Sequence, residues 1–283
     1  MSRNSGILYL VATPIGNLED ITLRALRVLR EVDLIAAEDT RHTRKLLNAH
    51  GISRPLISYH EHNMRARGPR LIRELLSGKS VALVTDAGTP TVADPGLDLV
   101  GRAVAENIQV MPIPGPSAVT TALVVSGLPV QPFIFLGYPP NRPGARRKFF
   151  TIHAHAEHTL VLFESPRRLG SSLKDMRKIW GNRRVAVTRE LTKIHEEVFR
   201  GSLDEAIALW PREARGEITL VVAGAQSVRP ELDESLLQHL RECLTSDRRP
   251  LKEITAEVAQ ERGLSKRLVY QEAIKIRKEL KKA

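Results

Sequence analysis

The sequence predicts an α/β protein of two α/β domains followed by a small helical tail, and three observations predict it. Short apolar runs alternate with amphipathic stretches through most of the chain, the pattern of a largely parallel sheet with helices on its faces. The alternation pauses once, at a Pro/Gly-rich segment over 114–131 that ends in Gly127-Leu128-Pro129, and then resumes. From about 229 the strand candidates stop and the chain turns helical and charge-rich. The domains are therefore placed at 1–115, 116–228 and 229–283.

The first series sets strands at 7–12, 32–37, 56–59, 80–85 and 108–113, with helices near 20–30, 40–49, 67–77 and 96–106. Segment 114–131 reads as a loop, a helix and a joint. Strands follow at 133–137, 159–164, 185–190, 195–200 and 217–224, with helices near 166–179 and 202–209. Two amphipathic helices flank a turn at Gly263. The second starts at Ser265, a residue type that caps helices, and Val269, Ala273, Ile276 and Leu280 form its apolar stripe. Two short helices joined in this way resemble a helix-turn-helix.

Composition bounds the function. The 283 residues are 42% hydrophobic, enough for a large core. The net charge of +11, from 43 Lys+Arg against 32 Asp+Glu, points to a polyanion as partner. The single cysteine, Cys243, excludes an internal disulfide and a multi-cysteine zinc site, and it suits a reducing cytoplasm. No metal site is expected. The apolar run Ile7 to Ala12 is too short for a signal peptide or a membrane span and leads straight into Thr13-Pro14, so it reads as the first strand. A cytoplasmic protein with no membrane association is the expectation.

The most informative stretch is VTDAGTPTVADPG at 84–96, where an apolar strand opens into a Gly/Pro loop carrying Asp86 and Asp94. Open α/β sheets bind ligands beyond the carboxyl ends of their strands. Two further loops have the same placement, Thr13-Pro14-Ile15-Gly16-Asn17 and Pro114-Gly115-Pro116-Ser117, the last with Ser117 at a helix start. Each alone is ordinary turn chemistry; together they suggest one crevice. G-x-G-x-x-G after a strand, the phosphate loop G-x-x-x-x-G-K-[ST], H-E-x-x-H and G-x-S-x-G are all missing.

These loops, with FLGYPP at 135–140, FESPRRL at 163–169, RELTKIHEE at 189–197 and GEITLVVAGA at 216–225, resemble the tetrapyrrole methylase superfamily, and within it the branch that methylates ribose 2′-hydroxyls of 16S rRNA. The resemblance runs from about residue 6 to 226. It implies two α/β domains of the tetrapyrrole methylase type, S-adenosylmethionine (AdoMet) in the cleft between them, and a homodimer. It implies cofactor contacts at Pro14, at Asp86, Ala87, Gly88 and Thr89, at Ser117 and Ala118, and at Glu164 and Thr219. The G-x-G-P-G first loop usual in small-molecule members is absent, which argues against a porphyrin or corrin substrate. The implied substrate is a cytidine of 16S rRNA, at the decoding centre of a nearly mature small ribosomal subunit.

Methyl transfer to a hydroxyl is an in-line displacement, and alignment can supply ~7–11 kcal/mol of the barrier. The hydroxyl also needs a base, or a cation to stabilise the developing oxyanion. Candidates are Glu38 and Asp39 in AAEDTRHT, His60 and Glu61 in YHEHN, and Arg189, Glu190 and Lys193 in RELTKIHEE. Glu190 with Lys193 comes first and Asp39 with Arg41 second; His42 and His195 read as structural. For each pair the plain alternative is a solvated ion pair or a dimer contact. Asp86 either meets the ammonium or ribose of AdoMet or braces its own loop. RNA contact is expected to be electrostatic. Arg142, Arg146, Arg147 and Lys148 lie in one unpaired basic loop, 141–148; a second run spans Arg167 to Arg184; and 262–283 carries a net +6. Phe149, Phe150 and Tyr59 are the rings available for stacking. Two other readings compete: a methylase of a small tetrapyrrole-like molecule, and a ribosome-assembly factor that keeps the cleft without turnover.

Overall fold

The computed structural model describes residues 5–226, 234–246, 249–262 and 264–280. The chain divides into two compact units, Met1–Ala225 and Gln226–Ala283.

The first unit opens with β1 (Ile7–Val11), α1 (Leu23–Glu31), β2 (Leu34–Ala37), α2 (Thr40–Ala49), β3 (Leu56–Ser58), α3 (Met64–Leu76), β4 (Val81–Val84), α4 (Leu97–Ala105) and β5 (Gln109–Ile113). Its five strands form a wholly parallel sheet in the order β3-β2-β4-β1-β5. A parallel sheet covered on both faces needs apolar residues at successive positions, and Val81, Ala82, Leu83 and Val84 are all buried. α1 and α2 cover one face through Ala25, Val28, Leu29, Leu46 and Leu47. α3 and α4 cover the other through Leu71, Ile72, Leu75, Leu99 and Ala103. Each such buried side chain contributes ~1.5–3 kcal/mol. Side chains end the helices as their chemistry dictates: Thr22 accepts from Ala25 N at 3.1 Å, and Asp39 from Arg41 N at 2.8 Å.

After α5 (Ala118–Val125) the chain builds a second sheet. Its strands are β6 (Phe133–Phe135), β7 (Thr159–Glu164), β8 (Arg184–Arg189), β9 (Glu197–Ser202) and β10 (Ile218–Val222), in the order β6-β7-β10-β8-β9. Only β6 and β7 run parallel; the other pairs are antiparallel. The turn at 190–196 joins β8 to β9 without a helix, which an antiparallel pair allows and a parallel pair forbids. Side chains alternate across this sheet. Leu160, Leu162, Leu220 and Val222 enter a core with α6 (Pro143–Ile152), α7 (Leu169–Trp180) and α8 (Leu203–Leu209), whereas Val161, Ala186 and Val221 meet α5.

The second unit holds α9 (Glu234–Ser246), α10 (Leu251–Glu261) and α11 (Lys266–Leu280). Leu236, Leu240, Val258, Ala259, Val269, Ala273 and Ile276 form its core. Ser265 caps α11 by accepting from Leu268 N at 3.3 Å. The expected apolar stripe stops at Ile276, because Leu280 is 42% exposed. The turn at Gly263 and the helix start near 229 lie outside the described residues. Cys243 is half-buried on α9. Among the described residues no helix is long and apolar enough to cross a membrane.

The 141–148 segment is a correction. It is the start of α6, not a loop, and Pro143 fits because the first turn of a helix needs no N–H there.

Candidate functional site

β4, β1 and β5 are neighbours in the first sheet, so the loops leaving their carboxyl ends stand side by side. The first two loops are joined by paired backbone bonds, Thr13 N to Gly88 O at 2.9 Å and Gly88 N to Thr13 O at 3.0 Å. The Thr13 hydroxyl adds a bond to Thr85 O at 3.0 Å. Gly115 lies so near Ala12 that a Cβ there would sit 3.0 Å from the Ala12 Cβ. These contacts place Ile15, the 85–94 segment and Ser117 to Val119 on one wall of a cavity of about 630 Å³. The facing wall comes from the second sheet: Tyr138, Phe163 to Pro166, Thr188, Leu191 and Gly216 to Thr219.

Eight of the nine residues expected to contact cofactor line this cavity: Asp86, Ala87, Gly88, Thr89, Ser117, Ala118, Glu164 and Thr219. Pro14 does not; it faces a small recess with His42, Thr43 and Leu46. Ser117 occupies the N-cap position of α5, yet its hydroxyl makes no capping bond. Glu164 is fully engaged inside the protein. Its carboxylate pairs with Arg168 at 2.7 Å, accepts from Ser165 N at 2.7 Å and bonds the Ser172 hydroxyl.

The cavity's electrostatics are one-sided. Glu38, Asp86, Asp94, Glu164 and Glu217 line it, and no Lys, Arg or His does. Glu38 accepts from the Thr85 hydroxyl at 2.7 Å, and Asp86 from Asp39 N at 3.0 Å. Burial raises the Asp86 carboxyl above the usual carboxylate range, with the Glu38 charge adding to it. Asp94 is pushed up to about 6 by burial and by the charges of Glu38 and Asp86, against a lowering bond from Thr85. The loop holding Asp94 is strained, for Thr91 (φ 73°) and Ala93 (φ 66°) occupy the left-handed region. Such conformations cost ~1–3 kcal/mol each and cluster at functional sites. Glu38, named among the candidate bases, lines the cavity; Asp94 and Glu217 are the lining acids given no expected role, although the Gly/Pro loop pointed to Asp94.

The expected catalytic pairs stand elsewhere. Glu190 Oε1 accepts from Lys193 Nζ at 2.9 Å and from Glu217 N at 2.8 Å, which holds its carboxyl below the usual range. This turn packs on the first-strand loop, where Asn17 N donates to the Thr192 hydroxyl at 3.0 Å. Both Asp39 oxygens bond the exposed Arg41, as helix cap and as ion pair, and hold Asp39 strongly ionised. Neither pair lines the cavity. His60 bonds Asn63, in the turn before α3.

Two expectations about RNA contacts are corrected. Arg146 is 4% exposed and pairs with Asp175 at 2.7 Å, so its charge is neutralised inside the fold. Tyr59 and Phe150 are fully buried core rings and are closed to bases. Arg142, Arg147 and Lys148 remain exposed on α6.

A family model described as Tetrapyrrole (Corrin/Porphyrin) Methylases matches residues 7–207. The chain belongs to this family. Tetrapyrrole methylases draw their methyl group from S-adenosylmethionine, and the chain is a methyltransferase that uses it. A relative from Halalkalibacterium halodurans, named ribosomal RNA small subunit methyltransferase I, is 49% identical over 274 residues, 94% of either chain. Relatives of the same name occur in Pseudomonas aeruginosa (44% identical, 96% of this chain and 98% of the relative) and Bacillus subtilis (43%, 94% and 93%). Among solved structures, the fold is shared with a diphthine synthase at a TM-score of 0.59, with 18% identity over 77% of this chain and 90% of that one. It is shared also with uroporphyrin-III C-methyltransferase from Thermus thermophilus at 0.55, with 23% identity over 80% and 98%.

Proposed function

We propose that this tetrapyrrole methylase modifies rRNA, transferring a methyl group from AdoMet to the 2′-hydroxyl of a cytidine in the 16S RNA of the small ribosomal subunit. One observation carries the reading: a chain of net charge +11 keeps a ligand cavity lined by five acids and no base. A cationic methyl donor fits that cavity, and a polyanion fits the exterior. The relatives' shared name supplies the substrate class. An anionic tetrapyrrole would face the carboxylates of Glu38, Asp86 and Asp94, unpaired among the described residues, which disfavours the small-molecule reading.

The donor set suits AdoMet. Asp86 and Glu38 face its cationic groups, Ser117 offers an uncapped hydroxyl, and the 86–89 backbone and Thr219 offer polar atoms to the adenosine. When bound, AdoMet supplies a methyl group made electrophilic by its sulfonium. Asp94 is the proton acceptor that fits best, because it lines the cavity and its carboxyl, pushed up to about 6, is more basic than an ordinary carboxylate. Glu190 and Lys193 act as positioning residues, fixing the turn that braces the first-strand loop against the second sheet. Asp39 and Arg41 hold the start of α2. On the family resemblance we also read the protein as a cytoplasmic homodimer.

The test is incubation with AdoMet and isolated small ribosomal subunits, followed by mass spectrometry of the digested 16S RNA. A new ribose-methylated cytidine is expected. A methyl on a base, a methylated tetrapyrrole in a parallel incubation, or tight subunit binding without transfer would each replace the reading.

A further inference from the structure

Between Asp39 and Leu76 the chain carries eight Lys/Arg against three Asp/Glu, a net +5 out of the whole chain's +11. Most of this charge sits on α2 and α3. The solvent stripe of α2 is Arg41, Arg44, Lys45 and Asn48, opposite buried Thr43, Leu46 and Leu47. Along α3, Arg65 and Arg70 are exposed and Arg67 is half-exposed. Arg44, Lys45, Arg65, Arg67 and Arg70 make no ion pair with any described residue, whereas Arg27, Lys79 and Arg102 elsewhere in the first unit are paired.

The placement works against stability. Helix N-termini carry partial positive charge and favour acids in the first turn. Neither α2 nor α3 has one there, and α2 has no cation in its last turn. Apart from Arg41, which Asp39 pairs, the cations over the first two turns of these helices have no counter-charge among the described residues, as a surface built for an external anion requires.

The topology puts this charge at the cavity's rim. β2 and β3 are parallel neighbours, so α2 and α3 both start at the sheet edge where ligands bind, one on each side of edge strand β3. Glu38, which lines the cavity, is followed at once by the α2 cap, and Asp86 in the cavity accepts from the Asp39 N–H at that cap.

We infer that the flank formed by the first two turns of α2 and α3 is the landing surface for rRNA phosphates, gripping the strand beside the nucleotide that enters the cavity. The inference rests on the rRNA reading. Recognition there is by phosphate charge and is indifferent to base identity. Its role is to bring the substrate to the rim, while the acidic interior admits only the ribose to be modified.

The test compares two full-length variants in binding to isolated small ribosomal subunits across a salt series. One combines Arg44→Ala, Lys45→Ala, Arg65→Ala and Arg67→Ala. The other removes four ion-paired cations elsewhere, Arg27→Ala, Lys79→Ala, Arg177→Ala and Lys275→Ala. Calorimetric AdoMet affinity, expected to be unchanged in both, certifies the fold. The first variant should bind subunits at least ~30-fold more weakly at 0.1 M salt, with the slope of log K against log salt shallower by about 3. Its KM for subunits should rise while kcat at saturation holds. The control should stay within about threefold of the parent. Parental affinity and slope in the first variant, or equal losses in both, would overturn the surface. Because the readout is binding, it decides the surface whatever is methylated; failure of the parent to methylate any rRNA would overturn the reaction instead.

Discussion

On the proposed reading, Asp94 is the residue that takes the hydroxyl proton. Burial and the charges of Glu38 and Asp86 push its carboxyl up to about 6, so it is a stronger base than an ordinary carboxylate yet mostly ionised at neutral pH. Transfer should therefore slow by about tenfold per pH unit below 6. Asp94→Asn should remove that limb and lower kcat by ~10²–10⁴, with AdoMet binding retained in calorimetry. Stability gives a second signature. The folded state holds this proton more tightly than the unfolded chain, whose carboxyl titrates near 3.8. Stability from Asp94 is thus complete below about 4 and is lost as pH rises through about 6. Denaturant titrations should show that decline in the parent and a flatter profile in Asp94→Asn. Asp86→Ala should weaken AdoMet binding by roughly tenfold or more; unchanged affinity would remove it from the site. Asp86 and Asp94 were both legible as acids in a Gly/Pro loop after a strand. What the loop could not show was how far each acid would be raised, for burial in the assembled cavity and the charge of Glu38, arriving from another strand, both act on them. Arg146 was misread for the same reason: its counter-charge, Asp175, lies on α7, 29 residues on. Arg146→Ala leaves Asp175 only a 3.9 Å contact to exposed Arg147 and should cost about 3 kcal/mol in chemical denaturation.

At the level of elements, strand-to-loop placement was readable throughout the first sheet, because parallel strands bury apolar runs and end in Gly/Pro loops. The three loops proved adjacent because β4, β1 and β5 are adjacent, an order no local pattern encodes. The second sheet's mixed direction was not readable, since short apolar runs look alike whichever way the chain returns. Helix α6 was missed because Pro143-Gly144 and a run of arginines look like loop composition, while its apolar side, Phe149 and Phe150, meets a core assembled from distant strands. The wall-to-wall contact of the cavity depends on Gly16. A Cβ there would lie 2.5 Å from Lys193 Cγ and 2.8 Å from the Leu191 carbonyl oxygen. The lysine stem can move; the carbonyl cannot without shifting the 190–193 turn. Gly16→Ala should lower stability by about 1–3 kcal/mol and raise the KM for AdoMet, a change that kinetic titration would read.

The whole molecule separates charge by depth. Acids line the ligand cavity, unpaired cations occupy the outer flank, and a further basic helix, α11, lies in the tail unit. Each unit has its own core, so a chain ending after Gln226 should keep cooperative unfolding and AdoMet affinity. Subunit binding should fall more than AdoMet binding, and a truncated protein that methylates subunits at the parental rate would show the tail to be dispensable for RNA.

The strand order has a consequence for biosynthesis. β1 leaves the ribosome first, yet its partners, β4 and β5, begin at Val81 and Gln109. At ~5–20 residues per second, the nascent Ile7–Val11 segment waits roughly 4–14 s for its first neighbour. During that interval an apolar segment with open hydrogen-bonding edges is exposed to whatever else can pair with it.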